Sequence, residues 1–295
     1  MVKIVKKITI FTFILIALTF SVPFLSVKGS LSVGDEFEYE VQKAYGNFNY
    51  TNNTATVSGT TDQFRIGDNA LDVGDDFTVE VDSISTGVGF SIYDSTESLL
   101  LTVSTSSFAF ALNLLYYSVY PFVMLGISSA SVTDLDVGYG VSLSDLFYIA
   151  PPGITWTDIY DSYNDPSQWT ALFSAFETDE GNVTTETKAT WYDGGDTIAF
   201  EIDVSGTYSI AAETTHLGII HSLRFDYNTS NYVLLGYDMF TLISGDYQGE
   251  NTNFAMTVQV TEASYTRDIG APYLLIGLAS ILSVSVMVLI RKRSK

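Results

Sequence analysis

The sequence predicts a mainly β fold of the α+β class: a curved antiparallel sheet with one or two covering helices, set between an N-terminal signal and a C-terminal transmembrane helix. Three observations predict the sheet. Glu36 to Val41 alternates strictly, with Phe37, Tyr39 and Val41 on one face and three glutamates on the other, the period of a strand with one wet face. LSVGDEFEYEV at 31–41 returns as LDVGDDFTVEV at 71–81, sharing seven of eleven positions. From Asn182 onward, alternating runs are separated by turn residues.

Taken in chain order, the first element is not part of the sheet. Lys3, Lys6 and Lys7 precede the uncharged run from Ile8 to Val27 and the short polar stretch Lys28-Gly29-Ser30. This is the order of a secretory signal, so residues 1–29 read as a signal peptide cleaved before Ser30, or as an uncleaved signal anchor. Residues 30–268 then form one extracellular strand-rich domain. With 46% hydrophobic and 14% aromatic residues the chain has material for a packed core. It contains no cysteine, which excludes disulfides, thiolate metal sites and a thiol nucleophile.

In each copy of the repeat, Gly-Asp should form a turn and the following Phe-x-x-Glu-Val a strand, so the two units belong in one sheet. Ser98 to Thr133 is uncharged, and Phe108 to Ile127 is apolar enough to resemble a span. Its flanks carry no Lys or Arg, and Asn113, Pro121 and Gly126 interrupt it. We read it as buried interior rather than a re-entrant or spanning helix. Ala150-Pro-Pro-Gly-Ile-Thr-Trp156 should be a stiff extended lead, and Thr157 to Tyr163 a short helix. Asp165 can cap a second helix with Pro166 at its first position. Trp169, Leu172, Phe173 and Phe176 then share the face that lies on the sheet.

Strands follow at Asn182 to Asp193, Thr197 to Ser205, Tyr208 to Thr215, Ile219 to Tyr227, Tyr232 to Ile243 and Phe254 to Ala263. Asp-Gly-Gly-Asp at 193–196 is the clearest hairpin signal. The chain closes with 22 uncharged residues, Ile269 to Ile290, and then Arg291-Lys292-Arg293. At 1.5 Å rise per residue such a helix spans a hydrocarbon core about 30 Å thick. The basic tail, 291–295, marks the cytoplasmic side. Basic flanks at both ends predict one topology: a single-pass cell-membrane protein with its large domain outside, partnered by the lipid bilayer through 269–290.

All 34 acidic residues lie between Asp35 and Asp268, against five basic ones there. That sign excludes nucleic acid as a partner and electrostatic attachment to anionic lipid. It fits a solvated, self-repelling surface, or recruitment of divalent cations or basic partners. Asn49, Asn52, Asn182 and Asn228 each open an Asn-x-Ser/Thr glycosylation pattern.

The chemistry in the sequence is sparse. His216 and His221, five apart, fall on opposite faces of a strand, and no Gly-x-Ser-x-Gly elbow supports a hydrolase triad. Carboxylates cluster at Asp72/Asp75/Asp76, Asp134/Asp136 and Asp158/Asp161/Asp165, none in the calcium-loop register. We therefore assign no metal ligands and no cofactor, with calcium the one ion these loops admit. A glycosidase needs two carboxylates about 5–10 Å apart, and no specific pair stands out. Trp156, Trp169 and Trp191 read as core. Val-Gly-Asp lacks phosphate-loop spacing.

The signal, the repeated Val-Gly-Asp-x-Phe strand start, the Pro-Pro-x-x-x-Trp segment, the late meander and the closing helix with Arg-Lys-Arg together resemble the archaeal choice-of-anchor S surface proteins of Asgard lineages. The resemblance implies a surface location and no activity. Ile269-Gly-Ala-Pro272 departs from the Pro-Gly-Phe sorting motif, so it does not imply enzymatic sorting. The function expected is a non-enzymatic, membrane-anchored binding or structural module. The alternatives are a half-barrel carrier of an apolar ligand or lipid, with Phe108, Phe110, Leu114, Tyr117, Trp169 and Phe173 lining its cavity, and a surface glycoside hydrolase.

Overall fold

The computed structural model describes residues 31–51, 56–118, 121, 141–142, 145–165, 167, 181–210 and 214–265. The two expected membrane segments therefore lie outside the described residues. Among those described, no helix is long and apolar enough to cross a membrane.

The strands are β1 (Glu36–Thr51), β2 (Thr56–Thr61), β3 (Phe64–Ile66), β4 (Asn69–Leu71), β5 (Asp76–Ile84), β6 (Gly87–Asp94), β7 (Leu99–Ser106), β8 (Val141–Ser142), β9 (Gly181–Asp193), β10 (Thr197–Ile210), β11 (Thr215–Asn228), β12 (Leu234–Tyr247) and β13 (Glu250–Glu262). Two helices are described, α1 (Ser107–Ser118) and α2 (Trp156–Tyr163), with a 3-10 turn at Asp145–Phe147. Ten strands form one antiparallel sheet in the order β7-β6-β5-β1-β13-β12-β11-β10-β9, with β2 beside β1. A small second sheet runs β4-β3-β8.

The internal repeat explains the centre of the large sheet. Each copy makes the same turn: the Ser32 N–H donates to the Asp35 carboxylate at 2.7 Å, and the Asp72 N–H to Asp75 at 2.8 Å. Gly34 and Gly74 stand at φ +88° and +94° in open space, so backbone conformation alone selects glycine there. The two strands then pair with each other, Glu38 opposite Thr78 at the midpoint. The contacts are reciprocal, Gly34 N–H to the Val81 carbonyl and Gly74 N–H to the Val41 carbonyl, both 2.8 Å. Bulges fall at matching places, between Val41 and Lys43 and between Val81 and Ser83. The duplicated segment thus makes a local two-fold, a closer relation than membership of one sheet.

Two expectations are corrected. Ser205-Gly206 does not break a strand: Gly206 pairs on both sides, with Thr185 and Ile219, and β10 runs on to Ile210. The reversal comes just before Thr215, where Thr214 takes φ +53°. The described part of the uncharged 98–133 stretch is not uniform interior; it supplies the edge strand β7 and then α1, whose first turn is capped by the Ser106 hydroxyl accepting the Ala109 N–H at 3.3 Å. The expected helix carrying Trp169 lies outside the described residues, although Asp165 does accept the Ser167 N–H at 2.9 Å.

One face of the sheet is apolar and covered. Phe225, Tyr227 and Tyr237 rise from it, all about 1% exposed or less. Phe147 packs at 4.8 Å on Phe225 and Trp156 at 4.9 Å on Tyr227. Buried phenols fasten the cover: Tyr227 donates to the Phe147 carbonyl at 2.8 Å, and Tyr39, which donates to Leu234 of β12 at 2.8 Å, also reaches the Tyr148 carbonyl at 3.5 Å. Residues 148–150 add a short ladder to the start of β12, with Leu234 N–H to Tyr148 and Ala150 N–H to Tyr232 at 2.9 Å. The expected short helix is α2, one residue longer at its start than the sequence suggested.

Candidate functional site

The two histidines occupy opposite faces of β11, as the strand period requires. His221 faces the covered side at 1% exposure, with its Nδ1 2.9 Å from the Thr241 hydroxyl. Burial drives its pKa down to about 3, and the nearby Tyr117 backbone offsets only part of this. It is therefore a neutral ring at any physiological pH.

His216 faces outward, 2.7 Å from the Ser209 hydroxyl. Strand register places Ser209, His216 and Asp246 in one row across β10, β11 and β12, continuing to Asn251 on β13. Sequence reasoning missed this row, because residues 209 and 246 meet only through the register of two hairpins. It has the residue types of a nucleophile, base and orienting acid. His216 is exposed on the outward face of β11. Within the described parts of β10, β11 and β12 the backbone on either side of the row belongs to strand ladders. Gly245 lies beside the row, where a Cβ would meet the His216 carbonyl at 2.2 Å. That close approach fixes the strand spacing.

A separate concavity of about 220 Å³ opens where the β5–β6 turn meets the start of α1. Its polar walls are Ser83, Ser85, Thr86, Ser104, Thr105 and Ser106. Neutral hydroxyls can hydrogen-bond a small polar group, but they supply no general base and no charge. Asp145, in the 3-10 turn, is the carboxyl most altered by its site: burial raises its pKa to about 6. Its charge in turn raises Tyr148, whose phenol is already held up by burial. Among the described residues, the ionisable neighbour coupled to Asp145 is Tyr148.

The expected cavity residues separate. Phe110 and Leu114 are buried at 0% and 2%, and Phe110 sits 5.8 Å from Tyr227 and 6.3 Å from Phe147, ring to ring. Tyr117 packs on Phe147 at 5.1 Å. These three pack over the covered face of the sheet. Phe108 is 47% exposed, since it lies two residues from Phe110 on a helix and so on another face. Trp169 and Phe173 lie outside the described residues. Trp156 is core, as expected, at 8% exposure.

Of the sequon asparagines, Asn49 is exposed on β1 opposite Asn253, and Asn182 pairs with Ser209 near the start of β9. Asn228 ends β11, its side-chain oxygen accepting the Ser230 N–H at 2.8 Å and the Ser230 hydroxyl at 2.7 Å. Asn52 lies outside the described residues. Asp72 and Asp75 serve their turn, and Asp134 and Asp136 are not described. Among the described residues, no three His, Asp or Glu side chains are grouped to hold a metal ion.

No family model, curated protein or solved structure matches this chain.

Proposed function

We propose that this chain is a membrane-anchored cell-surface protein whose acidic outer domain is a non-enzymatic binding or structural module. The observation that carries the reading is where the sheet begins and ends. β1 and β13 are neighbours at the centre of the sheet, Tyr39 opposite Glu262, and the Ala263 N–H donates to the Glu38 carbonyl at 2.8 Å. The chain enters and leaves the domain side by side, as two ends bound for one membrane need. Lysines before the first apolar run and Arg291-Lys292-Arg293 after the last hold both outer flanks in the cytoplasm. The same order of features underlies the resemblance to choice-of-anchor S surface proteins.

The carrier and hydrolase readings have weaker support. A carrier needs an enclosed apolar void; the described rings of Phe110, Phe147 and Trp156 supply mutual packing, which supports a solid cover. A hydrolase needs a sheltered cleft, whereas Ser209 and His216 lie on the outward face of the sheet. Protease treatment of intact cells producing the full chain tests the proposal. The outer domain should be digested before lysis, and a tag behind Lys295 only after it. Protection of the domain until lysis sinks the reading.

A further inference from the structure

We infer that one end of the sheet, formed by the first repeat turn, the β5–β6 turn and the start of α1, rests in the headgroup layer of the bilayer that anchors the chain. The inference rests on the membrane-anchored reading and deepens it: the domain itself meets the lipid, in addition to the span at 269–290.

The sequence sets this end apart. The chain holds 34 acidic residues, yet no charged side chain occurs from Ser83 to Tyr93 or from Ser98 to Ser118. Strand register brings the two segments side by side, with Gly87 opposite Ser106 and Gly89 opposite Ser104. In place of charge there are hydroxyls: Ser83, Ser85, Thr86, Ser104 and Ser106 wall the concavity of about 220 Å³. Two large apolar side chains stand uncovered at the same end, Val33 at 64% exposure and Phe108 at 47%. Val33 is held there because the Gly34 N–H donates to the Val81 carbonyl at 2.8 Å. The nearest acids are engaged, Asp35 accepting the Ser32 N–H and Asp82 the Ser91 hydroxyl, each at 2.7 Å. Such a surface suits a headgroup layer, where apolar side chains reach the acyl boundary and hydroxyls bond headgroup oxygens. The acid-rich remainder of the domain is repelled by anionic lipid.

Chain length puts this end at the right height. β13 leaves the sheet beside the start of β1, the Ala263 N–H donating to the Glu38 carbonyl. Five residues, Ser264 to Asp268, separate Ala263 from Ile269, and five residues reach at most about 17 Å. In the same direction β1 extends back to Glu36, which lies opposite Glu80. β5 then runs on to the turn at Ser85, losing one residue to the bulge between Val81 and Ser83. The β5–β6 turn therefore overhangs the exit point by about 20 Å along the strands. A twist of about 20° per strand reduces this to about 15 Å. Linker and overhang match, so a span that starts at Ile269 leaves the turn level with the headgroups.

The chain lacks cysteine, so Thr86→Cys installs a single labelling site at this end. Asn251→Cys does the same twelve residues up β13 from Ala263, about 40 Å away. Each full-length variant, reconstituted in phosphatidylcholine vesicles, would carry an environment-sensitive fluorophore read against lipid with a headgroup-attached quencher. Flotation with the vesicles tests the anchor by itself. The label at 86 should be blue-shifted and lose most of its emission to the quencher, while the label at 251 should keep its own. Adding Phe108→Glu to the Thr86→Cys chain should abolish most of that quenching. Glutamate in the first turn of a helix is favoured by the helix dipole, so α1 is retained, and circular dichroism checks the fold. Protein that floats with its label at 86 quenched no more than at 251 overturns the inference and leaves the anchored reading intact. Quenching at 86 that Phe108→Glu leaves unchanged also overturns it, and protein that does not float sinks both.

Discussion

Two buried ionisable side chains give the domain opposite responses to pH. His221 has a folded pKa near 3, well below that of an exposed imidazole. The unfolded chain therefore takes up a proton that the folded one refuses, and stability falls as pH drops from about 6.5 toward 3. The loss approaches about 1.4 kcal/mol per pH unit from this group alone. His221→Gln should flatten that part of the profile, seen as a smaller midpoint shift between pH 7 and pH 4.5 in urea unfolding. An unchanged slope would place the ring in water. Asp145 acts in the other direction. Its folded pKa, near 6, lies above the unfolded value, so folding favours the protonated form. The cost of ionising it grows from about pH 4 and is complete above pH 6. Asp145→Asn should add about 2 kcal/mol at pH 8 and nothing at pH 4, a difference that disappears if the carboxyl is solvated. The faces of His216 and His221 were legible from their spacing. The depth of His221 and the turn that buries Asp145 were not, because burial is set by tertiary packing, as where Tyr117 of α1 comes to lie beside His221 of β11.

At the scale of elements, the repeat is the most legible feature and also the one whose arrangement goes furthest beyond the pattern. Seven matching positions predicted two like turns and two like strands; that these pair with each other follows from the reciprocal Gly34–Val81 and Gly74–Val41 hydrogen bonds. Because the two turns are equivalent and lie at opposite ends of the paired strands, Gly34→Ala and Gly74→Ala should each cost about 1 kcal/mol through positive φ. Their effects should add in the double variant. Thermal unfolding should register each as a fall of about 2–4 °C. Asparagine at either position should cost less than alanine, because it tolerates the left-handed region. Unequal costs at the two positions would mean that the turns are alike only in sequence. Strand ends were harder to read. Ser205-Gly206 carries turn residues yet lies mid-strand, since its pairing partners on β9 and β11 outweigh local preference. The strand in 99–106 was hidden by its continuity with the helix that follows.

For the whole molecule, order of synthesis and order in space disagree at the centre. β13, the last strand made, lies between β1 and β12, so β1–β7 and β9–β12 are joined only when it arrives. Tyr39 meets Glu262 across the length of the domain, a connection no local pattern could reveal. The charge of the whole was legible from composition alone, and it sets the final expectation. A chain at −21 that concentrates its acids in one domain destabilises its own compact state by repulsion. Cations that screen over about 10 Å at 0.1 M, and about 3 Å at 1 M, should relieve this without a specific site. Raising sodium chloride from 0.05 to 1 M should therefore raise the unfolding temperature by several degrees, with potassium chloride equally effective. If salt lowers the midpoint, paired surface charges stabilise the fold and the acidic surface is not self-repelling. If calcium at millimolar levels far exceeds what its ionic strength explains, the carboxylates form a specific site.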